Sequence, residues 1–348
     1  MKIVQVLATS GGVGGLEQHT FNLVNELSQQ HEVHIIAHPC YVDKFNAHVC
    51  FHAVDFSRSR WNIFLLCQLK SIINKIQPDI VHAQAGKAAE SYLDYSSFSI
   101  RTWLKPVKFV TTVHGTKKKK SIYTFADAVI AVSQALTQGI PSEKAYVVYN
   151  GVYTQPNLSD EQKQQLKSEI YIQHSLLNSS KKIVMCIGRL EPVKNISLLL
   201  HAMSNIDAHL FIIGDGSLRS DLEQQTAAQK MLDRVAFLGF RTDARDLIQI
   251  ADVVVLSSDR EGFPLVMVEA LQANKTMAST RVNCVIEWLP EPYLANIGQV
   301  KELQQAIENA LTVQAQEDFS PLFMKAKQEL TVTAMAQQTL NIYEHLLK

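Results

Sequence analysis

From residue 2 onward the chain repeats one pattern: a short run of β-branched and aliphatic residues, then a longer segment with helical spacing, then another short run. Such alternation is what βα units around parallel sheets produce, because parallel strands need a crossover long enough to hold a helix. A first set of strands is expected at Lys2–Thr9, Glu32–His38, Val49–Asp55, Ile80–Gln84, Lys108–His114, Ala128–Ser133 and Ala145–Tyr149. A second set is expected at Lys182–Ile187, His209–Gly214, Arg234–Leu238, Asp252–Ser257, Thr276–Ser279 and Tyr293–Ile297. Between them, Thr154–Ser180 is rich in Gln, Ser and Asn, weakly apolar, and holds one polar helix near Asp160–His174. The expected organisation is a first domain over 1–152, a linker and helix over 153–180, and a second domain over 181–330. The last segment, 331–348, forms an amphipathic helix, Val332–Leu347, able to pack on either domain. A length of 348 residues suits two domains at roughly 150 residues each.

Composition narrows the class of partner. Lys and Arg total 33 against 33 for Asp and Glu, so the general positive charge of a nucleic-acid binder is missing and no nucleic-acid partner is expected. The zero sum divides unevenly: residues 1–152 carry a net +5 and the remainder −5, pointing to different partners for the two domains. The five cysteines (Cys40, Cys50, Cys67, Cys186, Cys284) are odd in number and never spaced C-x-x-C, which signals neither a disulfide framework nor a zinc site. A cytoplasmic location follows as the expectation. The opening apolar run, Ile3 to Ala8, is broken by Gln5 and too short for a signal-peptide core, and no stretch approaches about 18 uninterrupted apolar residues. Membrane contact is therefore expected to be peripheral, on the inner face.

In the first domain the opening strand runs into Thr9-Ser10-Gly11-Gly12-Val13-Gly14-Gly15-Leu16-Glu17, followed by a helix carrying Leu16, Leu23, Val24 and Leu27. Glycines between a strand and a helix N-terminus make a loop whose N–H groups can approach an anion closely. The register is neither G-x-G-x-x-G, since Glu17 stands at the last glycine, nor that of a P-loop. A tight turn with close helix packing is the plainer explanation. His114 ends a strand, where α/β folds place ligands, with His82 as a near-equal candidate; a lone histidine in such a place is more often structural. Lys117, Lys118, Lys119 and Lys120 follow, a cluster worth about 1 kcal/mol per lysine near an anionic surface, though a solvated loop explains it too. The segment 58–76 is amphipathic, with Arg58, Arg60, Lys70 and Lys75 opposite its apolar stripe, and core packing is its favoured explanation.

In the second domain, Gly188-Arg189-Leu190-Glu191-Pro192-Val193-Lys194-Asn195 joins a strand to a helix over Ile196–Met203. Arg189 and Lys194 thus bracket a loop where a diphosphate would meet two cations and a helix dipole. Ser257-Ser258-Asp259-Arg260-Glu261-Gly262-Phe263-Pro264 follows another strand, and Pro264 suits the first turn of a helix. Were both glutamates helical, Glu261 and Glu269 would lie about 12 Å apart along the axis, too far for joint acid–base work. Glu261 is therefore read as a loop residue and Glu269 as a helix residue, each accepting from a different hydroxyl pair of one extended ligand.

The ordered series resembles a known family. G-G-V-G-G-x-E at Gly11–Glu17, V-H-G at Val113–Gly115, V-I-A-V-S at Val129–Ser133, V-Y-N-G-V at Val148–Val152, G-R-L-E-P-V-K-N at Gly188–Asn195, G-D-G at Gly214–Gly216, F-L-G-F at Phe237–Phe240 and E-G-F-P-x-x-x-x-E at Glu261–Glu269 are similar to the retaining family-4 (group 1) glycosyltransferases of the GT-B fold. The resemblance implies an α/β protein of two Rossmann-like domains facing a cleft, with the final helix crossing back onto the first. It implies a hexosyltransferase that moves a hexose or N-acetylhexosamine from a nucleoside-diphosphate sugar, UDP first, to a glycan or lipid-linked glycan in bacterial surface polysaccharide synthesis, such as lipopolysaccharide. Arg189 and Lys194 would bind the diphosphate, Glu269 the ribose, and Glu261 the donor sugar, within the donor loop Gly262, Phe263, Pro264 and Leu265. Gly12, Gly14 and Gly15 would approach the phosphates, His114 would hydrogen-bond the transferring sugar, and Phe240 and Arg241 would meet the base. His114, Arg189, Lys194 and Glu261 are the catalytic set, and Lys117–Lys120 the membrane or acceptor contact.

No D-x-D triplet occurs, so a metal-bound diphosphate has no obvious ligands and the expected cofactor is none, with no metal. The chain departs from the family's pattern at Asn274, where a glycine is common, and in the short stretch between His114 and Ala128. Two rival readings are a nucleotide-sugar epimerase on the same fold, which would turn over donor without an acceptor, and a non-catalytic sugar-nucleotide binding protein.

Overall fold

The computed structural model describes residues 1–58, 61–98, 107–115, 121–175, 177 and 180–348, without the side chains of 93–98 and 121–122. Lys117–Lys120 and Arg60, to which the sequence attaches a surface role, lie outside the described residues. The chain divides into two compact units, one of Met1–Tyr153 with Glu329–Lys348 and one of Thr154–Gln328.

In the first unit, β1 (Lys2–Leu7), β2 (Glu32–Ala37), β3 (Val49–Ala53), β4 (Ile80–Gln84), β5 (Lys108–Val113), β6 (Ala128–Ala131) and β7 (Ala145–Val147) form one sheet in the order β3-β2-β1-β4-β5-β6-β7. Every pairing in it is parallel. The inner strands are buried almost throughout, which is why they read as continuous Val/Ile runs instead of alternating ones. The crossovers are α1 (Gly15–Leu27), α2 (Ile63–Ile76) and α3 (Ala85–Phe98). Asn62 starts α2 by accepting from the Phe64 and Leu65 amides at 3.0 and 3.2 Å. Leu65, Leu66, Leu69, Ile73 and Ile76 bury the later turns, whereas Ile63 and Phe64 of the first turn are 62% and 74% exposed and Trp61 before it 63%. Core packing thus explains the last three turns of the amphipathic segment but not its beginning.

In the second unit, β8 (Ile183–Ile187), β9 (His209–Ile213), β10 (Val235–Gly239), β11 (Val253–Leu256), β12 (Thr276–Thr280) and β13 (Leu294–Ala295) pair in parallel in the order β10-β9-β8-β11-β12-β13. The accompanying helices are α4 (Asp160–Gln173), α5 (Ile196–Met203), α6 (Arg219–Ala228), α7 (Ala244–Ile248), α8 (Leu265–Gln272), α9 (Val300–Ala310) and α10 (Val313–Glu329). Ser159 and Gln162 close a reciprocal cap on α4, each side chain taking the other's amide.

The last helix, α11 (Val332–Leu347), belongs to the first unit. Thr331 caps it by accepting from the Ala334 amide at 3.1 Å, and a parallel bridge joins Thr331 to Val152. Val332, Met335, Leu340, Ile342 and Tyr343 complete one core with Ile3, Leu7, Leu23 and Val24. Side chains of this kind contribute about 1.5–3 kcal/mol each when fully buried.

Candidate active site

In the second unit β8 and β11 are neighbours, so the loops leaving their C-terminal ends lie side by side. Three hydrogen bonds tie them: Asp259 N–H to the Val193 carbonyl at 2.9 Å, Ser257 Oγ to the Lys194 carbonyl at 2.8 Å, and Asn195 Nδ2 to Asp259 Oδ1 at 2.9 Å. On this base Lys194 Nζ donates to Glu261 Oε1 at 2.6 Å, and Ser258 Oγ donates to the same oxygen at 2.6 Å. The Lys194 and Glu261 side chains are 22% and 12% exposed, so the pair is largely screened from water. The Lys194 stem passes over Gly188, whose carbonyl is crowded by the next strand end: a Cβ on Gly214, with φ of +132°, would lie 1.9 Å from it. Only glycine fits there. Arg189, in the same loop, is exposed.

Glu261 lies in the loop and Glu269 in α8, with Pro264 at the residue before the helix begins. The Phe263 ring is buried edge-on to Trp288, with centroids 6.2 Å apart, and Pro264 is buried beside it, while Gly262 and Leu265 keep partial exposure. The loop is therefore held from beneath by Phe263 and Pro264. Glu269 Oε1 lies 3.6 Å from Arg245 Nε, beside a polar pocket lined also by Thr154, Gln155, Gln249 and Gln272. Burial pushes the Glu269 carboxyl up to about 7, against a weaker downward pull from Arg245. Phe240, just beyond β10, is 79% exposed, and Arg241 is forked onto Asp243 at 2.7 and 2.5 Å.

In the first unit, positive φ falls at Gly11 and Gly12, +78° and +73°, and not at Gly14 or Gly15. Tyr41 OH holds this turn by donating to the Gly12 carbonyl at 3.0 Å. The Gly14 amide is engaged by Glu17 Oε2 at 2.9 Å, so the helix start carries a carboxylate of its own.

His114 follows β5, half-buried, and its Nε2 meets Gln84 Oε1 at 3.0 Å. Its ring stands edge-on to His19 of α1, centroids 4.6 Å apart, and His19 Nδ1 meets Asn150 Oδ1 at 2.8 Å. His82 lies in the middle of β4, fully buried, which removes it from the strand end where the sequence reading placed it as a rival to His114. Burial lowers His19 to about 4, His82 to about 3, and His114 well below the usual imidazole value, so all three rings are neutral near pH 7.

The sequence gives no signal for Arg245, Tyr41, Gln84 or His19 as site residues. Ser258 and Asn150 stand inside motifs quoted above without a role. The rest are single polar residues in apolar or helical runs, and their meeting depends on partners far away in sequence.

The architecture is a two-domain α/β fold of the GT-B type. A solved structure of Anabaena Alr3699/HepE in complex with UDP superposes with a TM-score of 0.81 at 21% identity, covering 99% of this chain and 100% of that one. The family model for glycosyl transferases group 1 matches residues 167–319, and that for glycosyltransferase family 4 matches residues 13–155. The chain belongs to the group 1, family 4 glycosyltransferases, and it is an enzyme of that class. Among its relatives, the N-acetyl-α-D-glucosaminyl L-malate synthase of Bacillus anthracis is 26% identical over 88% of this chain and 87% of that protein. The phosphatidylinositol N-acetylglucosaminyltransferase GPI3 subunit of Saccharomyces cerevisiae is 24% identical over 86% of this chain and 73% of that protein.

Proposed function

We propose that this enzyme moves a hexose or N-acetylhexosamine from a UDP-sugar to a hydroxyl of a glycan or lipid-linked glycan, with retained anomeric configuration and without a metal. The observation that carries the proposal is the Lys194–Glu261–Ser258 cluster at two neighbouring strand ends. Lys194 and Arg189 stabilise the diphosphate as its bond to C1 of the sugar breaks, each charge-assisted hydrogen bond contributing about 1.5–3 kcal/mol. Glu261 accepts from hydroxyls of the donor sugar, Glu269 from the ribose, and Phe240 covers the base beside Arg241. Gly262, Phe263, Pro264 and Leu265 shape the donor loop. From the first unit, Gly12, Gly14 and Gly15 approach the phosphates and His114 hydrogen-bonds the transferring sugar.

In this reaction the acceptor oxygen bonds to C1 on the face the diphosphate leaves, and the acceptor's proton passes to the departing phosphate oxygen. The UDP bound by Alr3699/HepE supports the nucleotide, and the names of the two curated relatives support an N-acetylhexosamine. Nucleotide release from UDP-, GDP- and ADP-sugars with and without EDTA, followed by NMR of the product anomer, is the test. No release with any donor and acceptor defeats the assignment, loss of activity in EDTA defeats metal independence, and an inverted anomer defeats retention. Turnover of UDP-sugar without acceptor would establish the epimerase instead.

The acceptor we propose is a lipid-linked glycan of a surface polysaccharide such as lipopolysaccharide, met at the inner membrane face. Among the described residues no helix is long and apolar enough to cross a membrane. Exposed Trp61, Ile63 and Phe64, together with the net +5 of residues 1–152, support peripheral contact. Sedimentation with anionic and neutral liposomes tests it, and equal, salt-insensitive binding to both defeats the electrostatic part.

A further inference from the structure

A continuous line of buried polar side chains crosses the sheet of the first unit, from α11 to the end of β5. Tyr343 OH lies 2.5 Å from His82 Nδ1, and His82 Nε2 lies 2.6 Å from Thr112 Oγ1. Gln5 Nε2 reaches Tyr343 OH at 3.0 Å and His82 Nδ1 at 3.3 Å. Gln84 Nε2 donates to Gln5 Oε1 at 2.9 Å, and Gln84 Oε1 faces His114 Nε2 at 3.0 Å. Gln5, His82, Gln84, Thr112 and Tyr343 are all at most 1% exposed, so bulk solvent does not reach them.

The donor and acceptor inventory orders this line. A glutamine amide has one donating and one accepting end, and a neutral imidazole carries a single proton. Turning either amide alone would bring two carbonyl oxygens or two NH₂ groups together, so Gln5 and Gln84 reverse together or not at all. In the structure both amides turn their NH₂ ends toward the Tyr343 hydroxyl. That hydroxyl accepts from Gln5 and gives its own proton to His82 Nδ1, which puts the His82 proton on Nε2 toward Thr112. Gln5 Oε1 then faces Gln84, and Gln84 Oε1 faces the proton of His114.

We propose that Tyr343, Gln5 and Gln84 are positioning residues that hold His114 with its proton on Nε2, so that Nδ1 presents a lone pair to a hydroxyl of the transferring sugar. The proposal rests on the reading that His114 meets that sugar. It makes the ring an acceptor, a property neither the position of His114 nor its burial specifies.

Two measurements on the full chain test it. Nitrogen-15 NMR of histidine-labelled enzyme should show His114 protonated at Nε2, and Tyr343→Phe should give a mixture of tautomers. In kinetics, Tyr343→Phe and Gln84→Leu should each lower kcat about tenfold with donor KM within about twofold, yet change transfer by less than about twofold in a His114→Ala background. Equal losses in both backgrounds reduce the line to a structural element and overturn the proposal, as does a wild-type proton on Nδ1. Should His114→Ala be fully active, the sugar-contact reading fails by itself. The tautomer spectra then decide the relay, with a Tyr343→Phe spectrum matching wild type overturning it.

Discussion

Lys194 and Glu261, 67 positions apart in sequence, share a 2.6 Å ion pair in which the carboxylate oxygen also receives Ser258. Because the pair is largely shielded, removing one partner leaves the other charge poorly solvated. Lys194→Ala should therefore weaken UDP binding at least tenfold and also lower the melting temperature. Lys194→Ala with Glu261→Gln should recover the stability and not the affinity, as read by calorimetric titration and thermal unfolding. Unchanged affinity in the single variant removes Lys194 from the diphosphate site.

Glu269 supplies a pH signature. Its folded carboxyl titrates at about 7 against an ordinary 4.5, so between those values the folded state holds a proton the unfolded chain has released. The stability this contributes is fully present below about 4.5 and is lost as pH rises through about 7, on the order of 3 kcal/mol. Glu269→Gln should be more stable than the parent at about pH 8.5 and lose that advantage at about pH 5, measured by denaturant unfolding.

The buried histidines act with the opposite sign. Folded His19 and His82 titrate at about 4 and about 3, and His114 well below its usual 6.5, whereas the unfolded chain takes up protons from about 6.5 downward. Stability from these groups is complete above 6.5 and falls toward lower pH, with a limiting slope of about 1.4 kcal/mol per pH unit for each ring. His82→Gln should flatten the acid limb of a stability-against-pH curve, and an unchanged slope would exclude His82 as a contributor.

At the first loop the glycines separate by role. Gly12 has φ of +73°, so Gly12→Ala should cost about 1–2 kcal/mol through backbone strain. Gly15 opens α1 with nothing within 4 Å of an added Cβ, so Gly15→Ala should leave the melting temperature unchanged or raised. If a phosphate packs against that helix start, Gly15→Ala will nonetheless weaken donor binding, which a titration measures directly.

Much of the fold was readable because parallel βα architecture repeats a strong pattern. The strand Ile80–Gln84 and the helices Ile196–Met203 and Val332–Leu347 have the bounds their sequences suggest, and most other strands end one or two residues early, where apolar character outlasts ladder hydrogen bonding. The helix Ala85–Phe98 was not readable: Ala85 starts it at φ of +65° directly after a strand, with no polar cap or loop to announce it. Pro321 similarly disguises Val313–Glu329, since an interior proline reads as a break. Within the site, the loop place of Glu261 and the helical place of Glu269 followed from spacing. Their partners did not: Ser258 reaching Glu261, Arg245 beside Glu269, and Gln5 meeting Tyr343 at a separation of 338 residues are products of tertiary packing.

The return of α11 to the first unit also sets an order of assembly on the ribosome. Residues 154–328 are contiguous and hold their own six-stranded sheet, so that unit can close as soon as its last helix emerges. The unit synthesised first must wait with the place of Met335 and Tyr343 open until the whole of the second has been made. The core of the first unit is therefore completed only after the second has been made, and a nascent chain arrested near residue 328 should expose the side of the β1 sheet that α11 later covers.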